Sequence, residues 1–107
     1  MDARIRDVIR NLKLNCADAL TTSQQAQTIG LSRSRFEHLF KEETGKAFKK
    51  YLQQARLAKA QRLLRDPTLR IKEIATQCGY SSTSNFSHDF KRSLGLTPSG
   101  YRRSTLD

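Results

Sequence analysis

Apolar residues recur along this chain at helical spacing in short blocks, and glycines or small polar residues separate the blocks. Ile5, Val8, Ile9 and Leu12 form one stripe behind Asp2, a ready N-cap, so a helix is predicted over residues 1–15. Thr21 with Gln24, or Thr22 with Gln25, forms a capping box that opens a second, short helix ended by Gly30. Ser32 can cap a third helix that turns Phe36, Leu39 and Phe40 inward and stops at Gly45. From Phe48 to about Arg65 runs the longest periodic segment, with Phe48, Leu52, Ala55 and Leu63 near one face and Tyr51, Leu57 and Ala58 close by. Asp66-Pro67 ends it, because proline disfavours the α conformation in the residue before it. At 1.5 Å per residue that segment makes a rod of about 27 Å.

Ile71, Ile74 and Ala75 share a face of another short helix that stops at Gly79. After it come Tyr80, the small polar residues Ser81, Ser82, Thr83 and Ser84, and then Phe86 and Phe90, four apart on one face. Ser84, Ser87, His88 and Lys91 occupy the opposite face, so this helix can seat on a core while offering polar groups outward. Thr97 and Pro98 supply an N-cap and a first-turn proline for a last helix carrying Tyr101, Arg102 and Arg103. The pattern is all-α, with about seven helices.

An internal repeat gives the chain its organisation. Ala26-Gln27-Thr28-Ile29-Gly30 matches Ala75-Thr76-Gln77-Cys78-Gly79 at an offset of 49. One extra residue in the second turn moves the offset to 50, where Phe36, Phe40, Lys41, Gly45 and Tyr51 fall on Phe86, Phe90, Lys91, Gly95 and Tyr101. Helix, glycine turn, helix therefore occurs twice, as two helix-turn-helix units. The predicted division is 1–46, then a linker helix over 47–66, then 67–107.

Charge narrows the function. The 107 residues hold 20 lysines and arginines against 10 acids, a net charge of +10. The excess is uneven, with net +1 through Ser32 and +9 after it. A polyanion is the natural partner: nucleic acid first, an anionic membrane surface second. No apolar run approaches the roughly 20 residues of a membrane span, and Met1 opens into charged residues rather than a signal peptide. Cys16 and Cys78 show no metal-type spacing and read as two reduced, buried thiols of a cytoplasmic protein. No metal or cofactor is expected.

A helix-turn-helix places its second helix in a major groove. Two such helices separated by a rod of about 27 Å suit the ~34 Å spacing of successive major grooves, so one chain could read two turns of double-stranded DNA. The residues also carry a resemblance. Ala75-x3-Gly79-Tyr80, Phe86-Ser87-x2-Phe90-Lys91 and Gly95-Leu96-Thr97-Pro98-Ser99-x-Tyr101-Arg102 are similar to the signature of the AraC/XylS family of bacterial transcription regulators. The resemblance covers about residues 4–103. It implies an all-helical DNA-binding domain that activates or represses promoters, either alone or joined to an effector-sensing domain. Such a domain would be monomeric in isolation, and a larger regulator containing it would dimerise through its remaining part. Activation would also need a surface for RNA polymerase, which no stretch of the sequence identifies. Two departures stand out. The family usually has arginine where this chain has His88. Thr22 and Gln25 stand where the second unit has Ile71 and Ile74, so the first unit is expected to be the less stable.

Burying Phe36 and Phe40 turns Ser34, Glu37, His38 and Lys41 outward, with Arg33 at the helix start. Ser34, Glu37 and His38 are the base-reading candidates, Glu37 as an acceptor from cytosine or else simply a solvated carboxylate. Thr83, Ser84, Asn85, Ser87 and His88 are their counterparts in the second unit. Arg33, Arg35, Lys41, Ser82, Lys91, Arg92, Arg102 and Arg103 are the phosphate candidates, which give affinity without sequence information. Asp89 is better explained as an intramolecular partner for a nearby arginine. Phe36, Phe40, Phe86, Phe90, Tyr51 and Tyr101 recur at packing positions and are read as core, not as base-stacking platforms.

A nonspecific nucleic-acid packaging protein accounts for the charge but not for the repeated turn architecture. Catalysis has little support: His38 and His88 lie on separate helices with no nucleophile elbow, metal spacing or phosphate-binding glycine loop beside them.

Overall fold

A computed structural model of the protein describes residues 1–106. Its helices are α1 (Ala3–Leu14), α2 (Thr22–Thr28), α3 (Arg33–Thr44), α4 (Phe48–Leu63), α5 (Ile71–Gln77), α6 (Thr83–Leu94) and α7 (Pro98–Leu106). No strand occurs among the described residues, and the all-α expectation holds. The chain divides into two compact units, Met1–Ala55 and Arg56–Asp107.

In the first unit the caps decide where helices begin. Asp2 accepts from the Arg4 amide at 2.8 Å, and Thr21 accepts from the Gln24 amide at 3.2 Å. Of the two overlapping capping boxes, the structure uses the earlier one, which leaves Thr22 inside the first turn and buried. Ser32 caps α3 through the Arg35 amide at 3.2 Å. Gly45 ends α3 with φ of 79°, a left-handed conformation that a side chain would strain. Ile5, Val8 and Leu12 of α1 pack with Phe36, Phe40, Phe48 and Leu52 around one core. Phe40 sits at its centre, its ring 5.6 Å from Phe36 and 5.4 Å from Tyr51. The amide of Asp2 also donates to the Glu43 carboxylate at 2.8 Å, tying the start of α1 to the end of α3.

Repeated chemistry builds the second unit. Ser82 caps α6 through the Asn85 amide at 3.1 Å, and Gly95 ends it with φ of 81°. Thr97 accepts from the Gly100 amide at 3.1 Å, as its place before Pro98 predicts. The core holds Leu57, Ala60, Leu64, Ile74, Ala75, Cys78, Phe86 and Phe90. Phe90 stacks edge-on to Tyr101 at 5.5 Å, as Phe40 does to Tyr51.

The long helix that joins the two units contributes one half to each core. Phe48 and Leu52 are buried in the first, and Leu57, Ala60 and Leu64 in the second. The unit boundary at Ala55 and Arg56 falls in the middle of α4 rather than beside it. At about 100° per residue these two sets do not share a face, and the single stripe expected through Leu63 and Ala58 is not formed. Leu63 is only half-buried, and Ala58 is exposed. The second half of α4 repeats α1 instead. Ala3-Arg4-Ile5, Val8 and Leu12 align with Ala55-Arg56-Leu57, Ala60 and Leu64 at an offset of 52.

Thr22 and Gln25 are buried to 6% exposure, so the first unit places polar side chains where the second packs aliphatic Ile74. Each aliphatic side chain so replaced forgoes about 1.5–3 kcal/mol of burial. Amide hydrogen exchange should therefore show weaker protection over residues 22–44 than over residues 71–93. Equal or stronger protection over 22–44 would contradict this.

Candidate nucleic-acid interface

In each unit the second helix of the turn motif buries its phenylalanines and leaves a polar face in solvent. On α3, Arg33, Ser34, Arg35, Glu37, His38 and Lys41 are all exposed. On α6 and its cap, Ser82, Thr83, Ser84, Asn85, His88, Lys91 and Arg92 are exposed and Ser87 is half-buried. Arg103 on α7 is exposed as well.

Two cavities flank α3. One, of about 450 Å³, is lined by Ser34, Arg35, His38 and Glu42 with Arg4 of α1, over an apolar floor of Leu31 and Leu39. The other, of about 350 Å³, brings Arg33, Glu37 and Lys41 beside Thr22, Ala47, Phe48 and Lys49. Arg4 and Lys49 thus stand among the candidate residues although sequence reasoning passed over them. The repeat between α1 and the second half of α4 is the signal that draws notice to Arg4, since it pairs Arg4 with Arg56.

One pair of charges on α3 is engaged within the helix, and a histidine lies beside another carboxylate. Arg33 Nε donates to Glu37 Oε1 at 2.9 Å, and His38 Nε2 lies 3.6 Å from Glu42 Oε2. The helix carries three basic and three acidic residues, so it brings no net charge to the interface. The excess positive charge sits on the other helices.

One phosphate candidate has an internal role in the structure. Arg102, half-buried, donates from Nε to the Leu64 carbonyl at 3.0 Å and from Nη2 to the carbonyls of Asp66 and Leu69 at 3.1 and 2.7 Å. The Leu64 carbonyl lies at the C-terminal end of α4, where a cation is favourable, and those of Asp66 and Leu69 lie in the connection to α5. Arg102 is a clamp within the second unit, and the rolling count of 100° per residue could not reveal it. Leu52, its counterpart by the repeat, is simply a core residue.

Asp89 also turns inward, where its Oδ2 accepts from the Tyr80 hydroxyl at 3.2 Å. Burial raises the Tyr80 pKa well above its ordinary value, and the Asp89 carboxylate adds to this while the Arg56 charge opposes it. A raised folded-state pKa contributes stability that is present below the ordinary value of about 10 and is lost as pH rises past it. Alkaline unfolding should consequently be steeper for the wild type than for Tyr80→Phe. That variant should cost about 1 kcal/mol at neutral pH. Denaturant titrations between pH 7 and about 11 would check both.

Paired helix-turn-helix units, each with an exposed polar face on its second helix, define a double helix-turn-helix module. A family model for the helix-turn-helix domain matches residues 25–104, and the chain belongs to that family, in its AraC-type form. Curated relatives include the xylose operon regulatory protein of Escherichia coli K12, 33% identical over 101 residues, which are 94% of this chain and 26% of that protein. The transcriptional activator RhaR of Cronobacter sakazakii is 43% identical over 65 residues, 61% of this chain and 23% of that protein. The chain thus spans about a quarter of the length of these relatives. Among solved structures, the C-terminal domain of the response regulator AraT from Geobacillus stearothermophilus superposes with a TM-score of 0.91 at 30% identity, covering 96% of this chain and 86% of that one. The DNA-binding domain of the transcriptional factor AdpA, in complex with a target DNA, gives 0.90 at 27% identity and covers 96% and 93%. No helix among the described residues is long and apolar enough to cross a membrane.

Proposed function

We propose that the chain is the promoter-binding part of a bacterial transcription regulator, with α3 and α6 inserted into successive major grooves of one duplex. The observation that supports this most is the duplicated exposed polar face on a backbone similar, over 96% of its length, to a domain solved on its target DNA. Ser34 and His38 on α3, and Thr83, Ser84, Asn85, Ser87 and His88 on α6, are assigned to base edges. Arg35, Lys41, Ser82, Lys91, Arg92 and Arg103 are assigned to phosphates. Ser82 already accepts from the Asn85 amide, and its hydroxyl hydrogen is left to donate outward.

The protein acts in the cytoplasm, without enzymatic activity and without a cofactor. The similarity to RhaR, named an activator, favours activation through a contact with RNA polymerase. The isolated domain is monomeric, and a longer regulator containing it would dimerise elsewhere.

Selection from a randomised duplex pool, with binding followed across a salt titration, tests this reading. A motif of about two helical turns that persists at moderate salt supports it. Enrichment of no sequence, with affinity falling steeply with salt, would support a packaging protein instead.

A further inference from the structure

The ion pair on α3 carries a division of labour that neither residue suggests alone. Arg33 is the first residue of α3, at the end from which recognition helices reach base edges. At about 100° per residue, its backbone lies about 90° from the centre of the stripe formed by Ser34, Glu37, His38 and Lys41. From there an unguided arginine would meet the flanking phosphates. Glu37, one turn on and within the stripe, accepts from Arg33 Nε at 2.9 Å and draws the guanidinium over the outward face. That bond engages one side of the guanidinium only. The terminal Nη edge, which pairs end-on with guanine O6 and N7, is not used by it.

We infer that Arg33 reads a guanine in the half-site bound by α3, and that Glu37 is the positioning residue that aims it. This rests on the DNA-binding reading above. Two physical points favour it over a cytosine-reading Glu37 and a phosphate-bound Arg33. Oε1 of Glu37 already accepts from a charged donor, so the carboxylate has less capacity for a cytosine amino group. The pair is also neutral overall, so it adds little to the attraction of the duplex. What it can add is discrimination. Both side chains are more than half exposed, so the bond contributes little to the stability of the free helix and its geometry is free to serve binding.

The test is selection from a randomised duplex pool with the wild-type chain, Arg33→Ala and Glu37→Gln, and salt-dependent affinities for the selected duplex. The expected result is a guanine in one half-site whose preference falls about tenfold or more in Arg33→Ala. Glu37→Gln should weaken the preference at that same position, and the rest of the motif should survive in both variants. If Arg33→Ala leaves every base preference intact, weakens all duplexes alike and lowers the salt slope by about one, Arg33 is a phosphate contact and the inference fails. It fails equally if Glu37→Gln abolishes a cytosine preference at a position that Arg33→Ala leaves unchanged. A wild-type chain that selects no motif overturns the DNA-reading proposal itself, which separates that failure from the other two.

Discussion

Replacing Phe40 with alanine is expected to cost about 4 kcal/mol and to unfold most of the first unit. Phe40 is fully buried, and its ring meets Phe36 at 5.6 Å, Phe48 at 5.6 Å and Tyr51 at 5.4 Å. Removing it takes a ring partner from three aromatic side chains, an edge-on one from Phe48 and Tyr51 and a tilted one from Phe36, and opens a cavity among side chains drawn from α3 and α4. No small shift refills that space, because Phe36 is held on the same face of α3 one turn earlier. Domains of this size hold about 5–15 kcal/mol in all, so a loss of this order removes a large share of the total. Circular dichroism under urea should show a first transition at lower denaturant in the variant, with the protection of the second unit better preserved in hydrogen exchange. Phe40→Leu, which keeps most of the volume, should recover more than half of the loss.

Arg102→Ala is expected to destabilise the second unit by about 3 kcal/mol, through polar rather than apolar loss. Three carbonyls, those of Leu64, Asp66 and Leu69, lose a charged donor together. Hydrogen bonds to charged groups contribute about 1.5–3 kcal/mol each in isolation, and water recovers part of that for the more exposed acceptors. Lysine restores the charge but not the planar arrangement of donors, so Arg102→Lys should recover less than half. Binding to DNA provides the control. At a temperature where the variant remains folded, the salt dependence of its affinity should equal that of the wild type, because no phosphate contact has been removed. A salt slope lowered by about one would return Arg102 to the interface.

Much of the architecture is legible in the sequence because it rests on local chemistry. Caps such as Asp2, Ser32, Ser82 and Thr97 and the left-handed glycines act within one turn of the chain, and the structure uses each as its residue type predicts. The repeat of Phe36 and Phe40 in Phe86 and Phe90 carries over directly into matched cores. Two kinds of information are not local. A helix shared by two cores shows no single stripe, so α4 reads as a spacer when taken as one period. Long side chains choose partners that angular counting does not reach: Arg102 finds carbonyls more than 30 residues earlier, and Tyr80 finds Asp89 across the turn. The candidate site follows the same rule. Its outward residues are visible from periodicity, whereas the pairing of Arg33 with Glu37 needs the side-chain geometry.

The division of α4 between two cores constrains how such a chain can change in length. A residue inserted beside Ala55 would turn Leu57, Ala60 and Leu64 by about 100° relative to Phe48 and Leu52. Each set would keep its own core, so the whole second unit would turn with its half of the helix. An insertion between Phe48 and Leu52, or between Leu57 and Leu64, would instead pull part of a set out of its core, so each half must keep its own residue count. Insertions and deletions among related chains should fall instead at turns such as the one before Ser82, where the two halves of this chain already differ by one residue.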